Sequence, residues 1–374
     1  MALSVRGRDA DERAAHWASA TRPSRAFSQH THQPLPGRLP AGDGHLLALS
    51  LQLQPCLVYV SVTDCALVTR PGLAHALCDS DNFQEIAEQL NDPNQSAEDA
   101  QRCCVALRTL LDDEEEEEAT LAEAQAAGVR DTLLRCAALH PTHAGVQAAC
   151  CWALAEYVHT AQRTEVASYP SVFQAVVAAL KAHPLDEVQK AALAVLRNVC
   201  CFGLEGTPGV PALLDAIPLA LAALRAFPSD LIVQEYGCDS LARMCGMDAS
   251  VAEAVAAAGA VGLFLKALNL DITDDITCVA AVKAIGAIAL ASAALPQASA
   301  GIEAVVRVLR RHKKSSSVAI SACRTLGVYL RFPGTRERAV QAGAKAAIRE
   351  ARAKHNKDEK VKKAAQDALK APHA

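Results

Sequence analysis

The sequence predicts an all-α fold, a solenoid of stacked helical repeats. Three observations carry that reading. Hydrophobic residues make up 51% of the 374-residue chain, yet aromatics only 4%, and much of the apolar content is alanine, a strong helix former. A phrase of the form Val-Gln followed by small residues recurs, as VQAACCWALAEY (146–157), VQKAALAVLRNV (188–199) and VQEYGCDSLARM (233–244). Seven aliphatic anchors, Leu107, Leu154, Leu196, Leu241, Ile285, Leu326 and Leu369, stand 47, 42, 45, 44, 41 and 43 residues apart. That period belongs to stacked helical repeats.

The register holds on either side of the anchors, taken as position 0. Position −4 is always small: Cys103, Cys150, Ala192, Gly237, Ala281, Ala322 and Ala365. Position −8 holds Asp99, Val146, Val188, Val233, Thr277, Val318 and Val361, and position +3 holds Leu110, Tyr157, Val199, Met244, Ile288 and Tyr329. Positions −8, −4, 0 and +3 share one helical face, so each copy buries one stripe. Only a small residue fits where two helices approach most closely.

A second helix precedes each anchored one, in RDTLLRCAALHP, FQAVVAALKAHP, LALAALRAFP and IEAVVRVLRRH. These end in His140-Pro141, His183-Pro184, Phe227-Pro228 and His312. A helix C-terminus accommodates histidine, and proline stops the helix, so these histidines read as turn residues. Upstream, Gly128, Gly259 and Gly343 mark a sharp turn from a short first helix into the second.

Fourteen cysteines are present, several as doublets: Cys103-Cys104, Cys150-Cys151 and Cys200-Cys201. Neighbours on a helix diverge by about 100° and cannot readily share a metal or pair. Position −3 holds Cys104, Cys151, Cys238 and Cys323, where cysteine replaces a small hydrophobe. A long alanine-rich chain of this kind fits reduced thiols in the cytosol or nucleus, and a cytoplasmic setting is expected. No metal site, cofactor or catalytic residue is expected. Phosphate-loop, dinucleotide, serine-hydrolase and zinc-protease motifs do not occur. The most apolar stretch, LLALSLQLQPCLVYVSV, is interrupted by Gln52, Gln54 and Pro55, so no membrane helix is expected.

The order short helix, glycine turn, helix, turn, long helix resembles the armadillo repeat. The resemblance covers residues 82–370 in six to seven three-helix copies. It implies a right-handed α-solenoid at 81–374 whose third helices line a concave wall, with inward positions at −2 and +2. Those positions, with their neighbours, supply the expected partner-binding residues: Trp152, Glu156, Asn198, Asp239, Arg243, Lys283 and Arg324. The tryptophan–asparagine ladder of importin-type copies is missing: Glu156 follows Trp152, and Asn198 is paired with Ala194. A nuclear-import receptor is therefore not the expectation. Trp152 either faces a partner or packs within the array, and Asp239 and Arg243, at i and i+4, can pair on one helix.

The ends differ from the repeats. Residues 1–80 lack the period and read as an irregular leader, including HTHQPLPGRLPAGDGH. His30 and His32 alone do not make a metal site. Asp9, Asp11 and Glu12 depart from the acid-poor composition of a mitochondrial presequence. Residues 332–374 read as a cap, with lysines replacing the outer face. Charge is polarised: residues 81–131 hold fifteen acids and three bases, net −12, and residues 301–374 hold eighteen bases and six acids, net +12. The acidic part contains DDEEEEE at 112–118, read as a solvated insert. Opposite ends could attract between molecules, giving salt-sensitive self-association.

The function expected is a non-enzymatic scaffold that binds a protein segment or helix along the concave groove. Trp152→Ala or Arg243→Glu is expected to weaken capture without lowering helicity. Two alternatives stand beside it. One is an enzyme with an unrecognised cysteine-based site, which needs a thiol of unusual reactivity. The other is an RNA-binding array using the basic end around Lys362 and Lys363, disfavoured because aromatics are not interleaved there.

Overall fold

A computed structural model of the protein describes residues 82–112, 117–161, 169–200, 209–269, 275–291 and 296–370. The leader at 1–80, with His30 and His32, lies outside the described residues. Seventeen α-helices, one 3-10 helix and no strand occur among them. In chain order they are α1 (Phe83–Leu90) and α2 (Ala97–Leu111); α3 (Glu117–Ala126), α4 (Val129–Leu139) and α5 (Ala144–Ala161); α6 (Tyr169–Ala182) and α7 (Asp186–Val199); α8 (Val210–Ala226) and α9 (Leu231–Met247); α10 (Ala249–Ala257), α11 (Ala260–Asn269) and α12 (Asp275–Ala291); the 3-10 helix Pro296–Gly301, α13 (Ile302–Arg311) and α14 (Ser316–Arg331); and α15 (Pro333–Gln341), α16 (Ala344–Lys354) and α17 (Glu359–Leu369).

The anchored helices α2, α5, α7, α9, α12, α14 and α17 form one row, each packed on the next. The second helices α1, α4, α6, α8, α11, α13 and α16 form another row in the same order. The core lies between the rows. Leu107, Leu154, Leu196, Leu241, Ile285 and Leu326 are all buried there, and Leu369 is half-buried at the last unit. Each such side chain contributes roughly 1.5–3 kcal/mol on burial. Position −4 is small for the expected reason: a Cβ on Gly237 would stand 2.7 Å from Leu224 Cδ2 of α8.

The recurring Val-Gln has a physical purpose. Valine at −8 enters the core. Glutamine at −7 turns back and donates its amide to the last carbonyls of the second helix, groups that a helix end leaves without internal partners. Gln147 Nε2 bonds to Ala137 O at 2.7 Å and His140 O at 3.0 Å. Gln189 Nε2 bonds to Leu180 O at 3.1 Å and His183 O at 2.7 Å. Gln234 Nε2 bonds to Leu224 O and Phe227 O, both at 3.0 Å. One side chain thus satisfies two buried carbonyls and ties the second helix to the third.

Local signals set the boundaries. Gly128, Gly259 and Gly343 have φ of 64°, 80° and 83°, the left-handed region that side chains disfavour, at the turns from α3 to α4, α10 to α11 and α15 to α16. Ser96, Asp230, Ser315 and Asp358 cap α2, α9, α14 and α17 by accepting from backbone N–H groups of the first turn. Turn histidines also tie repeats together, His183 Nε2 lying 2.8 Å from Pro141 O. One boundary differs from expectation. Glu117 and Glu118, read as part of a loop, open α3; residues 113–116 of that insert lie outside the described residues. No single described helix is long and apolar enough to cross a membrane.

Candidate functional site

At positions −2 and +2 of the third-helix row, Ala194, Ala287 and Val328 join the core, whereas the polar and aromatic residues stand at its edge. Side chains there meet their neighbours along the row instead. The Arg108 guanidinium of α2 sits over the Trp152 ring of α5, 4.8 Å from its centroid. Glu156 Oε1 lies 3.9 Å from Arg108 Nε, so the pair is held beside the indole. Trp152 meets Tyr236 of α9 edge to face, with centroids 6.3 Å apart and planes at 68°. The intervening helix α7 carries only alanine at −5 and −2, Ala191 and Ala194, which leaves room for the two rings to touch across it. Arg197 of α7 then covers Tyr236, 5.5 Å from the ring centroid.

The row continues into a charge cluster. Asp239 is 5% exposed. Its Oδ2 accepts from Arg197 Nε at 3.1 Å and from Arg243 Nε and Nη2 at 3.1 and 2.9 Å. Lys283 Nζ of α12 lies 3.6 Å from Oδ1, an ion-pair distance too long for a hydrogen bond, and Oδ1 accepts no other bond. Burial opposes the charged carboxylate. Arg243, Lys283 and Arg197 outweigh burial and hold the Asp239 carboxyl below the usual carboxylate range. Burial pushes the Lys283 ammonium down, and Asp239 partly restores it. Three cations surround one anion, so the cluster carries a surplus of two positive charges at the middle of the row.

Four of the seven expected residues are therefore joined in one strip: Trp152, Asp239, Arg243 and Lys283. Glu156 is tied in through Arg108. Asn198 is committed elsewhere, its Nδ2 donating to Ala155 O of the preceding third helix at 2.8 Å. Arg324 stands further along, where burial lowers its pKa and Asp367 acts in the opposite sense. Three members were not foreseen: Arg108, Arg197 and Tyr236. They occupy positions +1 and −5, each three residues from −2 on the same helix, so extending the register by one turn would have found them. One expected variant needs correction. Arg243 is itself an internal partner of buried Asp239, so Arg243→Glu would set two carboxylates together and cannot leave the fold untouched.

Two cysteine arrangements also lie across helices, where doublet spacing does not reach. Cys278 Sγ lies 3.6 Å from His312 Nε2, and His312 Nδ1 lies 2.6 Å from Asp275 Oδ1. Cys278 occupies position −7, the glutamine position of other repeats, but the histidine it meets caps the second helix of the following unit, α13. Cys104, Cys136 and Cys150 gather their sulfurs at the boundary of α2, α4 and α5.

These features define the class: an armadillo-like α-solenoid, with its third helices in one continuous row. Comparison with solved structures agrees. The chain is similar to an engineered protein of known crystal structure, at 22% identity and a TM-score of 0.60, over 80% of this chain and 70% of that one. It is also similar to a designed armadillo repeat protein (17% identity, TM-score 0.48, 78% and 99% covered) and to a computationally designed armadillo repeat protein for modular peptide recognition (18%, 0.45, 78% and 99%). The first of these likenesses concerns the fold alone. No protein-family model matches the sequence, and no curated protein gives a significant match.

Proposed function

We propose that the protein is a non-enzymatic scaffold that holds an acid-bearing segment of another protein along its third-helix face, in a reducing, cytoplasmic setting. One observation supports this above the rest: a strip of arginine, tryptophan, tyrosine and lysine runs without a break over five consecutive third helices, α2 to α12, and its centre has two more cations than anions. Tryptophan, tyrosine and arginine dominate binding energy at protein interfaces. Here they are already held by one another, so a partner pays little ordering entropy on docking. Carboxylates or phosphates of the partner would meet Arg197 and Lys283, and apolar or cationic side chains would meet the Trp152 and Tyr236 rings.

Selection of extended peptides from a random library against the full chain tests this. The wild-type protein is expected to enrich acidic sequences, and Trp152→Ala and Lys283→Gln are expected to lose them at unchanged helicity. Enrichment of basic or neutral sequences, or equal recovery by both variants, would reject the reading.

The Asp275–His312–Cys278 line favours a second reading, a thiol-based activity, because an imidazole held by a carboxylate is the arrangement that activates a nucleophilic sulfur. It predicts that Cys278 alkylates faster than the repeat cysteines Cys238 and Cys323, and that His312→Gln abolishes the difference. Equal rates would reject this second reading.

A further inference from the structure

Cys104 of α2, Cys136 of α4 and Cys150 of α5 come from three helices and converge on one point. Their Sγ atoms are 3.5 Å (104–150) and 3.8 Å (104–136) apart, and none of the three separations exceeds 4.8 Å. None is a disulfide, whose sulfurs lie at about 2.05 Å. All three residues are 0–1% exposed.

Those separations match ligands around one central ion. Sulfurs about 2.3 Å from a metal stand about 4 Å apart in a flat three-coordinate site, and closer when the ion sits above their plane. Zinc fits poorly: a closed structural site takes four ligands, and an open one keeps a water. Among the described residues only three ligand atoms gather here, with no exposed edge. Thiolate sulfur selects soft ions, and a soft ion of three-coordinate habit uses every ligand present.

Charge narrows the choice. Three thiolates around copper(I) leave two negative charges in an apolar core, which is costly. A trivalent ion leaves none. Arsenous acid condensing with three thiols forms three As–S bonds; each thiol proton leaves with a hydroxide as water, and no electron is transferred. We infer that Cys104, Cys136 and Cys150 form a binding site for one trivalent thiophilic ion, arsenic(III) or its antimony analogue. The inference is independent of the third-helix strip.

Entry does not require a channel. The site joins the first two described units, and local opening between neighbouring units exposes it. Loading would tie α2, α4 and α5 together.

The test uses the full-length protein, reduced with a thiol-free phosphine and titrated with arsenite. Native mass spectrometry is expected to find one arsenic bound per chain, displacing three protons. X-ray absorption is expected to give three sulfur neighbours. Hydrogen exchange is expected to slow in α2, α4 and α5 and nowhere else. Cys136→Ser should lose the bound arsenic, whereas Cys238→Ser should keep it. Should Cys136→Ser fail to fold, the sulfur count and the exchange map of the wild type still decide. No arsenic bound, retention by folded Cys136→Ser, protection elsewhere in the array, tighter copper(I) than arsenite, or a Cys104–Cys150 disulfide in the protein as purified would each overturn the inference.

Discussion

At the middle of the third-helix row, Arg197, Arg243 and Lys283 are fixed around a carboxylate only 5% exposed. At the C-terminal end, Lys354, Lys357, Lys360 and Lys363 stand in solvent along α16, α17 and the turn between them. Both regions are basic. In the first, each cation is held by a shared anion, and Arg197 also by the Tyr236 face, so its position is determined before any partner arrives. In the second, the side chains are long, mobile in principle and screened by salt within about 10 Å at moderate ionic strength. Net charge therefore describes both regions equally and function neither. What distinguishes them is the buried aspartate.

The comparison breaks most sharply if that aspartate is removed. Asp239→Ala leaves three clustered cations without their anion and is expected to cost about 3–5 kcal/mol, read by urea denaturation. Lys363→Ala, at the other end, is expected to stay within about 0.5 kcal/mol. Equal costs would show that the central cluster is as solvated as the terminal one.

Acid sharpens the same contrast. The folded Asp239 carboxyl lies below its unfolded value of about 3.9. A depressed group contributes stability that is complete above the unfolded value and lost as pH falls through the folded one. The Asp239 contribution should therefore persist at pH 5 and fade only below about pH 4. The difference between wild type and Asp239→Asn should shrink over that window, by the same urea measurement.

The glutamine tie is next in size. Gln189→Ala strips two buried carbonyls of their donor and is expected to cost about 1–3 kcal/mol. Lys362, at the same position −7 in the last unit, pairs at 2.6 Å with Glu359 on the surface, and Lys362→Ala is expected to cost under about 1 kcal/mol. Thermal unfolding of the pair of variants checks this. The smallest effect belongs to the ends: association between acidic residues 81–131 and basic residues 301–374 of different molecules is expected to fall with added salt, by sedimentation, while wild-type helicity does not change.

Much of the fold was legible because a repeat states each contact several times. Valine at −8, a small residue at −4 and glycine at the first turn each recur, and each has one physical cause that the structure displays. The strip was partly legible. Trp152, Asp239, Arg243 and Lys283 were found because the armadillo resemblance assigns −2 and +2 to the inner wall, although Ala194, Ala287 and Val328 at the same positions are buried. Arg108 and Arg197 at +1 alternate with Ala155 and Ala242, and Tyr236 at −5 stands among Ala149, Ala191 and Ala280, so neither position shows a constant residue and all three were missed. The sulfur trio was invisible for a different reason. Doublet spacing describes one helix, and Cys104, Cys136 and Cys150 meet only when three helices pack.

In an array of stacked units, each unit ordinarily touches only the units beside it. The Trp152–Tyr236 pair departs from that rule by arching over α7 to join the second described unit to the fourth. Melting that spreads inward from either terminus would have to release three units at once on reaching this arch. A partner laid along the row would find its stiffest footing there.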